Sequence, residues 1–363
     1  MPGTPAVTRV TMPPSNDTRH GISTPETDAT AGFQQALPWT VAMDPRDQRN
    51  GPWELREAIE VVGADAESWL QGQLSQQVRG LAIGKPRFAL LLNLQGKIKA
   101  DLWITRGEAE HFCLWVPYGL ASDLLAYFDK YIMMEDVELA FLGAALLELN
   151  ADAEHVCKLG DGTSAETSSD VPPAKKGEHP FTTAITLRIL ESEAETGTTC
   201  GAPGECASLA WAAAAIACGY ARFGVDYPPE SALPQEVALA AWGVSFSKGC
   251  YQGQEPVVML EHRGKPPRYL VRLEGVEPTQ AEALGSTEAN DTASYAPGTP
   301  LSAADAGPIL GRLGSTSFGN DAPPKALALL KRSAAANELQ LIGAGRRWRV
   351  SAILTPGAPS SGL

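Results

Sequence analysis

The stretch Lys248-Gly249-Cys250-Tyr251-Gln252-Gly253-Gln254-Glu255 limits what this chain can fold into more than any other. Eight residues hold two glycines, a cysteine, two amides and one charge of each sign. Glycine weakens a helix interior and admits backbone angles that other residues resist, so the stretch suits neither a mid-helix turn nor a core strand. Pro256-Val257-Val258-Met259-Leu260 follows, and proline is at home in a helix's first turn. Cys250 is therefore expected in a turn just before a helix N-terminus. There the helix dipole and the Lys248 ammonium would both favour a thiolate. A lone cysteine also suits a small buried apolar position. The glycines and charges around Cys250 favour the exposed turn.

With the upstream phrases Ala232-Leu233-Pro234-Gln235-Glu236 and Gly243-Val244-Ser245-Phe246-Ser247, the octapeptide resembles the signature of the YgfZ family of folate-binding proteins. That family is related to the glycine-cleavage T-protein, an aminomethyltransferase. Its pattern reads Lys-Gly-Cys-Tyr-x-Gly-Gln-Glu, and Lys248, Gly249, Cys250, Tyr251, Gly253, Gln254 and Glu255 fill every specified position. The likeness runs from about Trp53 to about Leu354. It implies an α+β, aminomethyltransferase-like folate-binding core followed by a small C-terminal β-barrel. It also implies tetrahydrofolate as cofactor and iron–sulfur client or assembly proteins as partners, enzymes that modify tRNA among the clients. Cys250 is the functional thiol on this reading, and Asp101, Asn93 and Arg222 are the folate-side residues.

Composition limits the alternatives. The length of 363 residues favours more than one domain. A net charge of −13 argues against non-specific nucleic-acid binding, which needs a basic face. Six cysteines occur (Cys113, Cys157, Cys200, Cys206, Cys218 and Cys250) with no Cys-x-x-Cys pair, so no metal is expected. Cys200 and Cys206, separated by five residues, keep a minor disulfide or metal reading open. Thiols without a disulfide framework indicate a cytoplasmic protein. No apolar run approaches the ~18 residues of a membrane span.

Three segments follow. Residues 1–38 read as a disordered tail, rich in Pro, Thr and Ser and without periodic apolar residues. Residues 39–265 form the core, with polar insertions at 160–180 and 191–206. Residues 266–358 form the barrel. Within the core, 54–62 is a strand, and Asp65 is the expected N-cap of a helix over 66–71. Residues 87–93 and 98–106 pair as a hairpin around the turn at 94–97. A strand at 112–117, a helix over 120–133, strands at 137–141 and 144–149, a strand at 184–190 and a helix over 209–219 complete it. The barrel strands are expected at 269–273, 309–313, 325–330 and 348–353, after a solvated basic hinge holding Arg263, Lys265 and Arg268.

Alternation places Asp101 on the same strand face as Trp103. A carboxylate beside an aromatic there can accept hydrogen bonds from a pterin. In the T-protein the aspartate at the matching hairpin position assists one-carbon transfer. Retention of Asp101 therefore keeps a second reading, a folate-dependent aminomethyltransferase. Without the resemblance, Asp101 reads as an exposed strand carboxylate. The phrase from Arg222 to Pro228 matches the family's Arg-x-x-x-Gly-x-Pro only loosely. Arg222 suits either the glutamyl carboxylate of a folate or a structural ion pair.

Overall fold

The computed structural model describes residues 52–107, 110–149, 179, 181, 185–189, 207–276, 295–318, 323–343 and 345–356. The expected tail at 1–38, Cys157, Cys200, Cys206 and, apart from His179, the insertions at 160–180 and 191–206 lie outside the described residues.

Six strands make the first sheet: β1 (Trp53–Val62), β2 (Arg87–Leu92), β3 (Ile98–Arg106), β4 (His111–Pro117), β5 (Glu138–Leu149) and β6 (Ile185–Ile189). Their order is β2-β3-β4-β1-β5-β6, and every pairing is antiparallel. The hairpin β2–β3 forms as its turn residues foretell, in a register that sets Phe88 opposite Trp103 and Leu90 opposite Asp101.

Both faces of the sheet are covered, which is why β2 shows little polar alternation. One face carries Ile59, Val61, Ala89, Leu91, Leu102 and Ile104 against α1 (Ala66–Gln73) and α2 (Ala121–Asp129). The other carries Ala58, Phe88, Leu90 and Trp103 against α3 (Leu209–Cys218) and the chain that follows it. Ser208 caps α3 by accepting the Trp211 N–H at 3.1 Å, and Gly219 ends it in the left-handed region at φ 71°. Two short helices follow, α4 (Ala240–Gly243) and α5 (Gln254–Arg263).

A closed six-stranded barrel forms from β7 (Arg268–Gly275), β8 (Pro300–Ser302), β9 (Ile309–Ser317), β10 (Lys325–Lys331), β11 (Gln340–Gly343) and β12 (Arg346–Ile353). The sequence pattern indicates four of these strands. The other two, β8 and β11, span three and four residues, too few for alternation to register. The barrel packs against the chain after the sheet. Arg272 donates to the Ile216 and Ala217 carbonyls at the end of α3, and Ser315 Oγ donates to Asp226 at 2.9 Å.

Four local expectations need correction. Residues 138–149 are one strand rather than two, because a bulge absorbs Leu142 between the pairs Ala58–Gly143 and Ile59–Phe141. Helix α2 stops at Asp129, not at Met133; Glu135 accepts the Met133 and Met134 backbone N–H groups and draws them into a turn. Asp65 precedes α1 but accepts the Asp136 N–H instead of capping the helix. Arg268 is no solvated hinge residue. It forks onto the buried carboxylate of Glu236, at 2.7 Å and 3.0 Å.

A clamped thiol loop above a buried charge network

The chain from Gly243 to Gln254 is stitched to the first sheet along its length. Ser245 N–H donates to the Ser75 carbonyl, and Ser75 Oγ donates back to the Gly243 carbonyl. Lys248 is the central fastening. Its Nζ donates to the carbonyls of Gln71 and Leu74, both at 2.6 Å, and of Gln76 at 3.1 Å, which uses all three of its donors. These carbonyls lie at or just beyond the C-terminal end of α1, where a cation is favoured. Burial, with a smaller push from Arg79, brings the ammonium down to about 8. The expectation that this ammonium activates Cys250 is thereby corrected, because the charge points into the fold.

Tyr251 is buried on the other side of the thiol, and Lys248 Nζ lies 5.2 Å from its ring centroid. Between these two anchors Gly249 and Cys250 are exposed. Gln252 N–H donates to the Gly72 carbonyl, and its side chain donates to the Tyr127 hydroxyl. Gly253 then sits in the left-handed region at φ 75°, where a Cβ would stand 2.2 Å from the Asn93 carbonyl oxygen. Helix α5 starts at Gln254, so Cys250 does lie shortly before a helix, in an irregular loop; the turn itself falls at Gln252–Gly253.

Asn93 belongs to the same junction. Its Oδ1 accepts the Gln95 and Lys97 N–H groups, which shapes the β2–β3 turn, and its Nδ2 donates to Glu230. Gln254 opens α5 and Glu255 is exposed in its first turn. Gln235 ties α5 down from the other side, donating to the Val257 carbonyl at 2.8 Å.

Asp101 occupies a different setting. It does share a face with Trp103, but that face is interior, and Asp101 is wholly buried. Its Oδ1 accepts from Arg56 Nη1 at 2.8 Å and its Oδ2 from the Tyr220 hydroxyl at 2.9 Å. Arg56 also holds Glu54, at 2.6 Å through Nη2. Two buried acids thus share one guanidinium. Burial raises the Glu54 carboxyl above its ordinary range, against the pull of Arg56. Burial opposes the Arg56 charge, but Glu54 and Asp101 together outweigh it and hold the guanidinium well above its usual value. Arg222 is buried too, and its charge acts on both Glu54 and Asp226.

His179 lies against this network. Its ring centroid is 4.6 Å from Phe88, 4.7 Å from Tyr220 and 4.9 Å from both Trp103 and Trp242. Burial, helped by Arg56, pushes its imidazole well below the usual value, so it is neutral. Trp242 leads back to the thiol loop: its carbonyl accepts from the Gln76 side chain, and the Gln76 carbonyl accepts from Lys248.

The structure therefore gathers the motif residues and Asn93 into one junction, and Asp101 with Arg222 into an interior network. The β2–β3 hairpin serves both. Glu54, Arg56, Tyr220 and His179 were not singled out from the sequence. The first two were legible in part, since an acid and a base two residues apart on a largely apolar strand share a face. Tyr220 and His179 carry no local signal, because the groups that give them their setting, Asp101 for Tyr220 and Trp103 for His179, come from distant parts of the chain.

Among known proteins, the family model described as the GCVT N-terminal domain matches residues 55–150. A protein of Mycosarcoma maydis called iron-sulfur cluster assembly factor IBA57 homolog, mitochondrial, is 28% identical over 248 residues, which are 62% of this chain and 58% of that protein. The chain thus spans less than two thirds of that relative's length. The tRNA-modifying protein YgfZ of Edwardsiella ictaluri is 29% identical over 228 residues, 60% of this chain and 68% of the relative. Among solved structures, the glycine cleavage system aminomethyltransferase T of Bartonella henselae superposes with a TM-score of 0.56 at 18% identity, covering 85% of this chain and 87% of its own. Residues 55–150 thus match the GCVT N-terminal domain model, the chain is similar to YgfZ and IBA57 proteins, and it shares the fold of aminomethyltransferase T.

Proposed function

We propose that this chain is a tetrahydrofolate-binding accessory protein, acting in the cytoplasm, that supports assembly or repair of iron–sulfur proteins, tRNA-modifying enzymes among them. Cys250 is its functional thiol. The observation that carries this reading is the exposed Cys250 between two buried anchors, Lys248 and Tyr251. A clamped loop holds a reactive group at a fixed place on the surface, where a partner protein can reach it. The printed names of the YgfZ and IBA57 relatives support the same process.

The cluster is cargo in this reading. Among the described residues no three His, Cys, Asp or Glu side chains group to hold a metal. In this reading Cys250 shares a cluster with thiolates of a client or assembly partner. No nucleic-acid or membrane partner is expected: the charge is −13, and among the described residues no helix is long and apolar enough to cross a bilayer.

The interior network fits a folate by its chemistry. Asp101, Arg56 and Tyr220 offer carboxylate, guanidinium and phenol beside a wall of aromatic rings, a donor set suited to a flat hydrogen-bonding ring. Asp101 and Arg56 would orient the ring, Arg222 would add positive charge beside it, and Asn93 would shape the rim at the hairpin turn. Bound folate would supply a carrier for one-carbon units.

The alternative, a T-protein-type aminomethyltransferase, draws on the shared fold and on Asp101. Against it, both Asp101 oxygens are already engaged inside the fold, one by Arg56 and the other by the Tyr220 hydroxyl. The deciding experiment complements a null strain with wild type and Cys250→Ala and assays iron–sulfur enzymes under oxidative stress. Loss in the variant is expected. Full activity removes the thiol's role, and methylene-tetrahydrofolate formed from an aminomethyl-lipoyl donor would establish the alternative.

A further inference from the structure

The exposed side of α5 runs from the thiol loop to a group of cations. Glu255, Met259 and then His262 and Arg263 follow at helical spacings of three and four, so they form one exposed stripe. Met259, in its middle, is a large apolar side chain 54% exposed to solvent. The helix is 10 residues long, which is about 15 Å from end to end.

At the far end two segments are stitched together. Arg332 donates its backbone N–H to the Pro267 carbonyl at 2.9 Å and its Nη1 to the Lys265 carbonyl at 3.2 Å. Arg263, Lys265, Lys331 and Arg332 are thereby gathered into one exposed patch. Lys331 also stands opposite Arg268 in the β7–β10 register, a pairing of like charges that works against the fold. Glu236 answers Arg268, but among the described residues none of the other four takes part in an ion pair. The C-terminal end of α5 accounts for Arg263. Lys265, Lys331 and Arg332 lie outside that helix, and on a chain of net charge −13 their company has no explanation within the fold.

We infer that this stripe and patch are the docking surface for an acidic segment of a protein partner, the one whose thiolates meet Cys250. The inference rests on the function proposed above and adds where that protein lies and which way it points. The cations call for acidic side chains, and Met259 calls for an apolar contact between them and the thiol. A nucleic acid would need a broader basic face than so acidic a chain carries. Glu255 fixes the direction: it repels acids at the thiol end, so they bind at the C-terminal end of α5, about one helix length from the thiolates.

The test is fluorescence anisotropy at low ionic strength with a labelled oligoglutamate peptide carrying one central leucine. The proteins are wild type, the patch variant Arg263→Gln/Lys265→Gln/Lys331→Gln and the control Lys85→Gln/Lys130→Gln/Lys325→Gln, which removes the same charge from other exposed positions. Wild type and control should bind saturably, and the patch variant at least about fivefold more weakly. No binding to wild type, or equal weakening in both variants, overturns the docking surface. So does a tRNA transcript that binds in place of the peptide and is lost in the patch variant alone. In a null strain the patch variant should lose iron–sulfur enzyme activity as Cys250→Ala does. Full activity in the patch variant alone overturns the docking surface and leaves the thiol's role standing; full activity in both variants overturns both.

Discussion

A methyl group on Gly253 would stand 2.2 Å from the Asn93 carbonyl oxygen, so the thiol loop and the β2–β3 turn approach each other as closely as two backbones can. Gly253 also holds φ at 75°, a region that costs other residues strain. Gly253→Ala is expected to destabilise the protein by about 1–3 kcal/mol or to lift the loop off the hairpin. Urea unfolding measures the first effect and Cys250 alkylation rates the second. A variant matching wild type in both would show that the contact is dispensable.

Arg56 is the only side chain seen to neutralise both Glu54 and Asp101 among the described ion pairs. Arg56→Met leaves two buried carboxylates facing each other, and a loss of about 3–5 kcal/mol is expected. Adding Glu54→Gln and Asp101→Asn should recover part of it, since two neutral amides replace two stranded charges. Equilibrium denaturation of the single and triple variants checks the order. Equal stability of the two would mean that the charges do not act as a unit.

Lys248→Met strands three carbonyls around the end of α1, at a cost of about 2 kcal/mol. Lys248→Arg should not rescue it, because a planar fork cannot converge on three carbonyls as an ammonium does. Faster hydrogen exchange in α1 and in residues 245–254 would report the loosened loop, and unchanged exchange would refute the anchoring role.

Acid should reveal His179. Its folded value lies well below the ordinary 6.5, from burial and then from Arg56. Below 6.5 the unfolded chain therefore binds a proton that the folded chain refuses, and stability falls as pH drops. Facing groups are Arg56, Asp101, Glu54 and Tyr220, and their own titration affects wild type and His179→Phe alike. The difference between these two proteins isolates the imidazole. The Phe variant should lose less stability between about pH 6.5 and pH 5, as read from thermal midpoints; parallel curves would show that His179 is protonated in the fold.

Among the described cysteines, Cys250 should alkylate first. It is exposed, whereas burial and then Glu60 push the Cys113 thiol up to about 12. Native-state labelling followed by peptide mass mapping should find Cys250 modified at least about tenfold faster than Cys113. Comparable rates would mean that the loop shields its thiol.

Much of the fold was legible because its signals are local. The hairpin over 87–106, the helix ending at Gly219 and the turn before α5 depend on neighbours within a few positions, and all three form. The aminomethyltransferase-like core and closing barrel, inferred from a motif, also match the architecture. Errors fell where a distant or unusual partner decided. Glu135 cut α2 short, the bulge at Leu142 joined two expected strands into one, and Glu236 took Arg268 from solvent.

The sequence by itself determined that Cys250 stands in a glycine-bearing loop ahead of a helix, because glycine freedom and the proline at 256 act within one short segment. It also determined that Asp101 and Trp103 share a strand face, since side chains alternate along any strand. Only the tertiary structure decided where these features lead. It turned the Lys248 ammonium inward to three carbonyls contributed from some 170 positions earlier, and it placed Asp101 in the interior with Arg56, Tyr220 and the ring of His179 nearby. Burial makes an unpartnered charge costly, so charged side chains go where the folded chain provides partners, and those partners come from segments far apart in sequence.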